Sequence, residues 1–205
     1  MKKLESFGIA GINFTDRVLA RGFTYTTRED ELVPTNLCSK ENPFQEEILS
    51  AKYILDVGCG IGRNLQWIME NTDAIYVGLD PNESMMQYFW DCQNLMWINR
   101  VQLHHNFDTI DKNIVFDVVV STFVFQHIGY RPNESQMNIT DITNSIRKFT
   151  KNGTVWFLIE HDGEEDWIPR WTSENGIIPD IYIRNYTGLE ELTHRGLHHL
   201  IIWKE

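Results

Sequence analysis

Short apolar runs alternate with amphipathic stretches along the chain from Tyr53 to the end. The apolar runs lie at 53–57, 74–79, 101–103, 115–120, 154–159 and 197–203. Between them, apolar side chains recur at three- and four-residue spacing, as Ile139, Ile142 and Ile146 do, and this spacing predicts helices. Strands that alternate with helices in this way are typical of a parallel sheet.

Three of the runs, at 53–57, 115–120 and 154–159, are apolar at almost every position. Because a strand without a polar face is buried on both sides, these runs predict a sheet that is covered by helices on both faces. The right-handed crossover between parallel strands then makes a three-layer, doubly wound α/β fold the expected architecture.

Residues 1–50 do not share this alternation, since they are polar and mixed in character. We therefore predict an N-terminal arm or cap for 1–50, lying over the strand ends where open α/β sheets bind ligands, and one α/β domain for 51–205. The length of 205 residues suits a single domain. Near the end, Thr187 and Glu190 form a capping box, which predicts a last helix that closes at Gly196.

A glycine-rich loop follows the first predicted strand and opens a predicted helix. It contains Gly58, Gly60 and Gly62 and is preceded by Asp56. Glycine allows the backbone to turn sharply and to approach a ligand, and a helix N-terminus offers unpaired N–H groups. Asp80 ends the second run, about twenty residues beyond the glycines, where a carboxylate can accept both hydroxyls of a ribose. This combination predicts a nucleotide-like ligand.

The loop resembles the first motif of class I S-adenosylmethionine-dependent methyltransferases, because its spacing is G-x-G-x-G after an acidic residue. Dinucleotide enzymes use G-x-G-x-x-G instead. The resemblance continues at 76–81, Tyr-Val-Gly-Leu-Asp-Pro, and at 116–121, Phe-Asp-Val-Val-Val-Ser, in the order that the family has. It covers residues 50 to 160, approximately. The alternative is an ordinary turn in which the glycines serve packing and Asp80 caps a helix.

The resemblance implies S-adenosylmethionine as the cofactor and S-adenosylhomocysteine as the product. It implies that Asp56, Gly58 and Gly60 line the amino-acid part of the cofactor and that Asp80 holds the ribose. The other contacts that it implies are Gly62 in the loop, Pro81 and Met85 at the adenine, the segment Asn106-Phe107-Asp108 at the adenine amino group, and Ser121 and Phe123 under the methionine part.

Members of this family usually end with two strands after the last helix, the final one antiparallel. The resemblance therefore implies a mostly parallel, Rossmann-like sheet of six or seven strands with an antiparallel last strand. Only the run at 197–203 follows the predicted last helix. Either 181–183 supplies the missing edge strand, or the sheet is one strand short.

Two histidines are candidate general bases. His127 lies in the Phe-Gln-His-Ile segment beyond the fourth run, and a neutral imidazole suits a base. The alternative is that His127 caps a helix or bonds to the backbone. His161 lies in the acidic run 160–166, which suits a second base or a divalent metal, although such a run is more often a solvated loop. We take His127 and His161 as the catalytic candidates and predict no metal site.

The chain carries a formal net charge of −11, which repels phosphate backbones. The segment 121–127 lacks the Pro-Pro-aromatic signature found in the related amide and exocyclic-amine methylases of nucleic acids. We therefore expect a small-molecule or sugar-like acceptor rather than nucleic acid. Trp167 and Trp171 form either an aromatic lid over that acceptor or part of the core.

Other functions are compatible with the same motifs. One is another S-adenosylmethionine-handling enzyme, such as a lyase, a hydrolase or an aminopropyl-transfer enzyme. Another is a regulatory protein that holds the cofactor without turnover. The three cysteines have no paired spacing and the N-terminus has no apolar stretch, so we predict a reducing, cytoplasmic setting without a membrane partner.

Overall fold

The computed structural model describes residues 42–60, 62, 64–92, 95–122, 124–128, 138–161, 167–184 and 198–205. The described strands are β1 (Tyr53–Val57), β2 (Ile75–Leu79), β3 (Val101–His104), β4 (Val118–Thr122), β5 (Val155–His161), β6 (Ile181–Arg184) and β7 (His198–Lys204). The described α-helices are α1 (Gln45–Leu49), α2 (Leu65–Asn71), α3 (Glu83–Cys92), α4 (Phe125–Ile128), α5 (Ile139–Arg147) and α6 (Trp167–Glu174). Two 3₁₀ turns, Leu95–Arg100 and Phe107–Thr109, flank β3.

These strands form one seven-stranded sheet in the order β3-β2-β1-β4-β5-β7-β6. The first five strands of the chain are parallel to one another, whereas β7 is antiparallel to both β5 and β6. The predicted doubly wound α/β fold, with a mostly parallel sheet and an antiparallel end, is therefore confirmed. The order reverses between β1 and β4, and such a switch point is where open α/β sheets bind ligands.

The sheet is buried on both faces, as the apolar runs predicted. The helices α4, α5 and α6 cover the face that carries Leu55, Leu158 and Ile201. The helices α1, α2 and α3 cover the opposite face, to which Ile54 and Val118 belong. Alternate residues of one strand thus enter different apolar layers, and each fully buried large side chain contributes about 1.5–3 kcal/mol of transfer free energy.

The aromatic residues of α6 belong to the core and do not form a lid. Trp171 is fully buried, and its ring meets Phe125 edge-on with 5.5 Å between the ring centroids. It also meets Trp203 of β7 at 5.9 Å. Trp167 is buried beside it, at 6.0 Å between ring centroids. Of the two alternatives for these tryptophans, core packing is the one that the structure bears out.

Two strand boundaries differ from the predicted ones. The fourth strand begins at Val118 rather than at residue 115, because the N–H of Phe116 bonds to the carbonyl of Phe149 outside the sheet ladder. The fifth strand extends beyond residue 159 to His161, which places Glu160 inside the sheet. At the far edge, β6 supplies the strand that the sequence left uncertain.

Helix ends follow the side-chain chemistry of their first residues. Asn82 caps the start of α3, since its Oδ1 accepts from the N–H of Met85 at 3.2 Å. Helix α5 begins with a capping box between Asn138 and Asp141 that had not been predicted. The capping box at Thr187 lies outside the described residues, and so do residues 1–41 of the predicted arm.

Candidate cofactor site

The glycine loop leaves β1 after Val57 and turns directly above the end of β2. The N–H groups of Gly58 and Cys59 both donate to the carbonyl of Leu79, at 2.7 and 3.2 Å. The N–H of Gly62 closes the turn on the carbonyl of Cys59 at 2.8 Å. Gly58, Gly60 and Gly62 have φ angles of +68°, +53° and +88°. This left-handed backbone costs a residue with a side chain about 1–2 kcal/mol, which explains the glycines.

The missing side chains of two of these glycines leave space for different neighbours. A Cβ on Gly58 would lie 2.6 Å from Cγ1 of Val124 and closer still to Cγ2, so Gly58 is filled from within the protein. A Cβ on Gly60 would lie 3.0 Å from Cε of Met85 and 4.0 Å from Oδ2 of Asp80. The space at Gly60 therefore opens toward Asp80 and Met85, the residues predicted to face ribose and adenine.

Asp80 connects the glycine loop to the start of α3. Its Oδ2 accepts from the N–H of Gly60 at 2.9 Å, and its Oδ1 accepts from the N–H of Asn82 at 2.8 Å. The side chain is only 8% exposed. Burial raises the pKa of Asp80 above its usual range, against the opposing effect of the two N–H groups. A carboxylate has about four lone-pair sites, so two remain for the hydroxyls of a ribose.

A buried polar network lies beneath the loop on the α2 side of the sheet. Asp56 is 1% exposed, and its Oδ2 accepts from the hydroxyl of Tyr76 at 2.6 Å. Nδ2 of Asn64 donates to both carboxylate oxygens of Asp56, at 3.1 and 3.2 Å, and approaches Oγ1 of Thr122 at 3.4 Å. Burial raises the pKa of Tyr76, and the charge of Asp56 adds to the effect. The network joins β1, β2, β4 and the start of α2.

The β4 side of the site is held by a carboxylate that the sequence prediction missed. Glu160 is fully buried at the end of β5, and its Oε1 accepts from the hydroxyl of Ser121 and from the N–H of Val124, both at 3.2 Å. Ser121, predicted to pass under the methionine part of the cofactor, is itself fully buried. Glu160 directly continues the apolar run 154–159, and this position is the sequence signal that could have identified it. A carboxylate that continues a buried strand is itself expected to be buried, and a buried charge requires hydrogen-bonding partners.

The residues predicted at the adenine lie in different surroundings. Phe107 is half-buried and stacks on Phe149, with 6.5 Å between the ring centroids. Asp108 is exposed, and its N–H donates to Oδ1 of Asn106 at 3.0 Å. Pro81 is half-buried directly after Asp80. Phe107 therefore packs toward the core, whereas Asp108 lies on the solvent side of the same turn.

Some predicted site residues lie outside the described part of the structure. Phe123 is one of them. His127 belongs to α4 and His161 ends β5, but their side chains are not among those that the structure describes. The backbone of His127 follows the carboxyl end of β4, and that of His161 lies at the carboxyl end of the neighbouring parallel strand β5, the edge of the sheet at which the loop and Asp80 lie. Their assignment as general bases stays a prediction.

The fold and the site geometry agree with a comparison of the sequence with known families. A family model described as a methyltransferase domain matches residues 55–155, which span the loop, Asp80 and β4. The chain contains a class I, S-adenosylmethionine-dependent methyltransferase domain. Within this methyltransferase domain, the glycine loop follows β1 at the switch point of the sheet, and Asp80 lies beside it at the end of β2.

Two solved structures and one relative illustrate the similarity of the methyltransferase domain to known proteins. A SAM-dependent methyltransferase from Aquifex aeolicus superimposes with a TM-score of 0.61 at 14% identity, covering 92% of this chain and 97% of that one. Magnesium protoporphyrin IX methyltransferase from Synechocystis PCC 6803, solved with bound SAM, gives a TM-score of 0.59 at 16% identity, covering 94% and 85%. An uncharacterized protein of Haemophilus influenzae is 33% identical over 120 residues. That match spans 55% of this chain and 44% of the relative, less than half of its length.

None of the helices within the described ranges has both the length and the apolar character needed to cross a membrane.

Proposed function

We propose that the protein transfers a methyl group from S-adenosylmethionine to a small-molecule or sugar-like acceptor. The observation that carries the proposal is the hydrogen bond from the N–H of Gly60 to Oδ2 of Asp80. It holds the carboxylate that we assign to the ribose against the glycine loop, which follows β1 at the switch point of the sheet. The missing side chain of Gly60, whose Cβ would lie 3.0 Å from Cε of Met85 and 4.0 Å from Oδ2 of Asp80, supports a ligand that passes close to the loop backbone.

The residues at the site fit the cofactor part by part. Asp80 would accept the ribose hydroxyls with its free lone pairs, and the thioether of Met85 would pack against the adenine. The loop and the β4 end, with Ser121, would hold the methionine part on the other side of β1. When bound, S-adenosylmethionine supplies a methyl group that is activated by its positively charged sulfur. The protein's part is to align the acceptor with that group and to exclude water.

The nature of the acceptor is supported by charge and by fold similarity. The formal net charge of −11 disfavours a phosphate backbone. The Synechocystis neighbour acts on a porphyrin, a small molecule. We propose that His127 and His161 lie on the acceptor side, where either would take a proton from the acceptor, and that the protein works in the cytoplasm. Nucleic acid is the second candidate acceptor.

A transfer assay with a labelled methyl group tests the proposal. The purified protein is incubated with methyl-labelled S-adenosylmethionine and either a small-molecule extract or total RNA, with Asp80→Ala as the control. The expected result is label in the small-molecule fraction together with S-adenosylhomocysteine, and no transfer by the control. Label in RNA would establish the second candidate. Cleavage of the cofactor to other fragments would indicate a lyase, a hydrolase or an aminopropyl-transfer enzyme, and tight binding without any product would indicate a regulatory protein.

A further inference from the structure

Asn64 keeps one buried hydrogen-bonding atom without a partner among the described residues. Its side chain is 2% exposed, and Oδ1 accepts no hydrogen bond there. The orientation of the amide is fixed by chemistry, because only the NH₂ group can face the two oxygens of Asp56. A buried carbonyl that lacks a donor is unfavourable unless a ligand supplies one.

The contacts of Asn64 place its carbonyl at the end of the cofactor site that lies between β1 and β4. Nδ2 faces Asp56 on β1 and Thr122 at the end of β4, and the carbonyl of the same planar amide hydrogen-bonds to neither of them. Asp80, the ribose-binding candidate, lies at the end of β2 on the other side of β1. If Asp80 holds the ribose at the end of β2, the substituent on the ribose extends across β1 toward β4. That substituent is therefore the part of the nucleoside that reaches Asn64.

The charges around Asn64 select the kind of group that it can bind. The carboxylate of Asp56 lies within 3.2 Å of the amide. The Tyr76 hydroxyl beneath the loop already donates to Asp56. Asp56 and the Asn64 carbonyl are acceptors, so a positively charged donor is favoured over an anion. In S-adenosylmethionine and S-adenosylhomocysteine, such a donor is the ammonium group of the amino-acid part.

We propose that Oδ1 of Asn64 accepts a hydrogen bond from the ammonium group of the cofactor and so makes the site selective for nucleosides that carry an amino-acid side chain. The proposal rests on the proposed function, because it requires the cofactor to lie along the glycine loop. It adds a residue that the motif resemblance did not include. Asp56 acts behind Asn64 as a positioning residue, since its oxygens are occupied by Asn64 and Tyr76.

Two ligands distinguish this role from a merely structural one. S-adenosylhomocysteine carries the ammonium group, whereas 5′-methylthioadenosine has the same adenosine and sulfur without the amino-acid part. Calorimetric titration with both is carried out on the wild type, Asn64→Ala, Thr122→Val and Asp80→Ala. Thr122→Val is the matched control, because it removes the other neighbour of the Asn64 Nδ2 group and leaves Oδ1 in place.

Asn64→Ala is expected to weaken S-adenosylhomocysteine by about tenfold or more, the scale of one hydrogen bond to a charged group, and to leave 5′-methylthioadenosine within about twofold. Thr122→Val should change both affinities equally and little, and Asp80→Ala should weaken both strongly. Asn64→Ser carries the same expectation if Asn64→Ala does not fold. Equal losses of both ligands in the Asn64 variants would overturn the inference while leaving the proposed function in place. Absence of any binding to the wild type would instead overturn the proposed function.

Discussion

Replacing Gly58 with alanine adds a methyl group where the structure has no room for one. The new Cβ would lie 2.6 Å from Cγ1 of the buried Val124 side chain, and closer to Cγ2. The backbone there has φ +68°, which costs a residue with a side chain about 1–2 kcal/mol. Overpacking against Val124 adds about 1–3 kcal/mol. Together these terms predict a loss of about 2–5 kcal/mol from the free energy of unfolding.

Gly176→Ala separates the two terms. Gly176 has a similar φ of +63°, but nothing lies within 4 Å of an added Cβ. This variant therefore carries the backbone cost alone, and we expect it to lose about 1–2 kcal/mol. The difference between the two glycine variants, measured by urea unfolding, should equal the overpacking against Val124.

A second substitution tests where the excess cost arises. Shortening the neighbour by Val124→Ala destabilises the wild type through lost packing, but in the Gly58→Ala background it also removes the clash. The two changes should therefore couple favourably by about 1–3 kcal/mol in a double-mutant cycle. If Gly58→Ala cost no more than Gly176→Ala, or if the cycle showed no coupling, the loop would not lie against Val124 as the structure has it.

Three further predictions concern the buried and half-buried carboxylates. Tyr76→Phe removes the hydroxyl that donates to Asp56 Oδ2 at 2.6 Å, so unfolding should require about 1–3 kcal/mol less free energy; an unchanged urea midpoint would contradict the network. Burial alone would raise the pKa of Asp117, but the hydrogen bonds from Lys151 Nζ and from the N–H groups of Lys52 and Tyr53 outweigh it, and the net shift is downward. The stability that Asp117 contributes is therefore present above the usual carboxyl range and is lost as the pH falls through its lowered folded-state pKa. Acid unfolding of Asp117→Asn should lack this pH-dependent loss of stability. An acid-unfolding profile of the variant identical to that of the wild type would contradict the role of Asp117. Burial raises the pKa of Asp80, so the affinity for S-adenosylhomocysteine should fall as the pH drops through that raised pKa, before the usual carboxyl range is reached. Titrations of Asp80→Asn at the same pH values should show a weaker affinity that does not depend on pH.

Much of the fold was predictable because its strands are buried on both faces. A short, continuous apolar run such as 53–57 is typical of a strand that is buried on both faces of a parallel sheet. The strand boundaries were predicted wrongly where a residue is buried without belonging to a strand, or belongs to a strand without being apolar. Phe116 is fully buried yet lies outside β4, since the core also accepts apolar loop residues. Glu160 is charged yet lies within β5, because the donors of Ser121 and Val124 satisfy it.

In the candidate site, too, the features that follow from neighbouring positions in the sequence were predictable, and those that depend on contacts across the sheet were not. The turn of the glycines and the position of Asp80 beside it could be predicted, because their spacing along the chain reflects a turn and the strand that follows it. Asn64 and Tyr76 could not, since their roles depend on Asp56 across the sheet and beneath α2. In the sequence, Tyr76 is simply part of an apolar run, and only the pairing of β1 with β2 brings its hydroxyl to a carboxylate.

Calorimetric titration of the purified protein with S-adenosylmethionine, S-adenosylhomocysteine and NAD, repeated on Asp80→Ala, tests the cofactor site most directly. We expect both sulfur nucleosides to bind the wild type, NAD not to bind, and the variant to lose both sulfur nucleosides. Binding of NAD in preference to the sulfur nucleosides, or unchanged affinity in Asp80→Ala, would contradict the assignment of the glycine loop and Asp80 as the cofactor site.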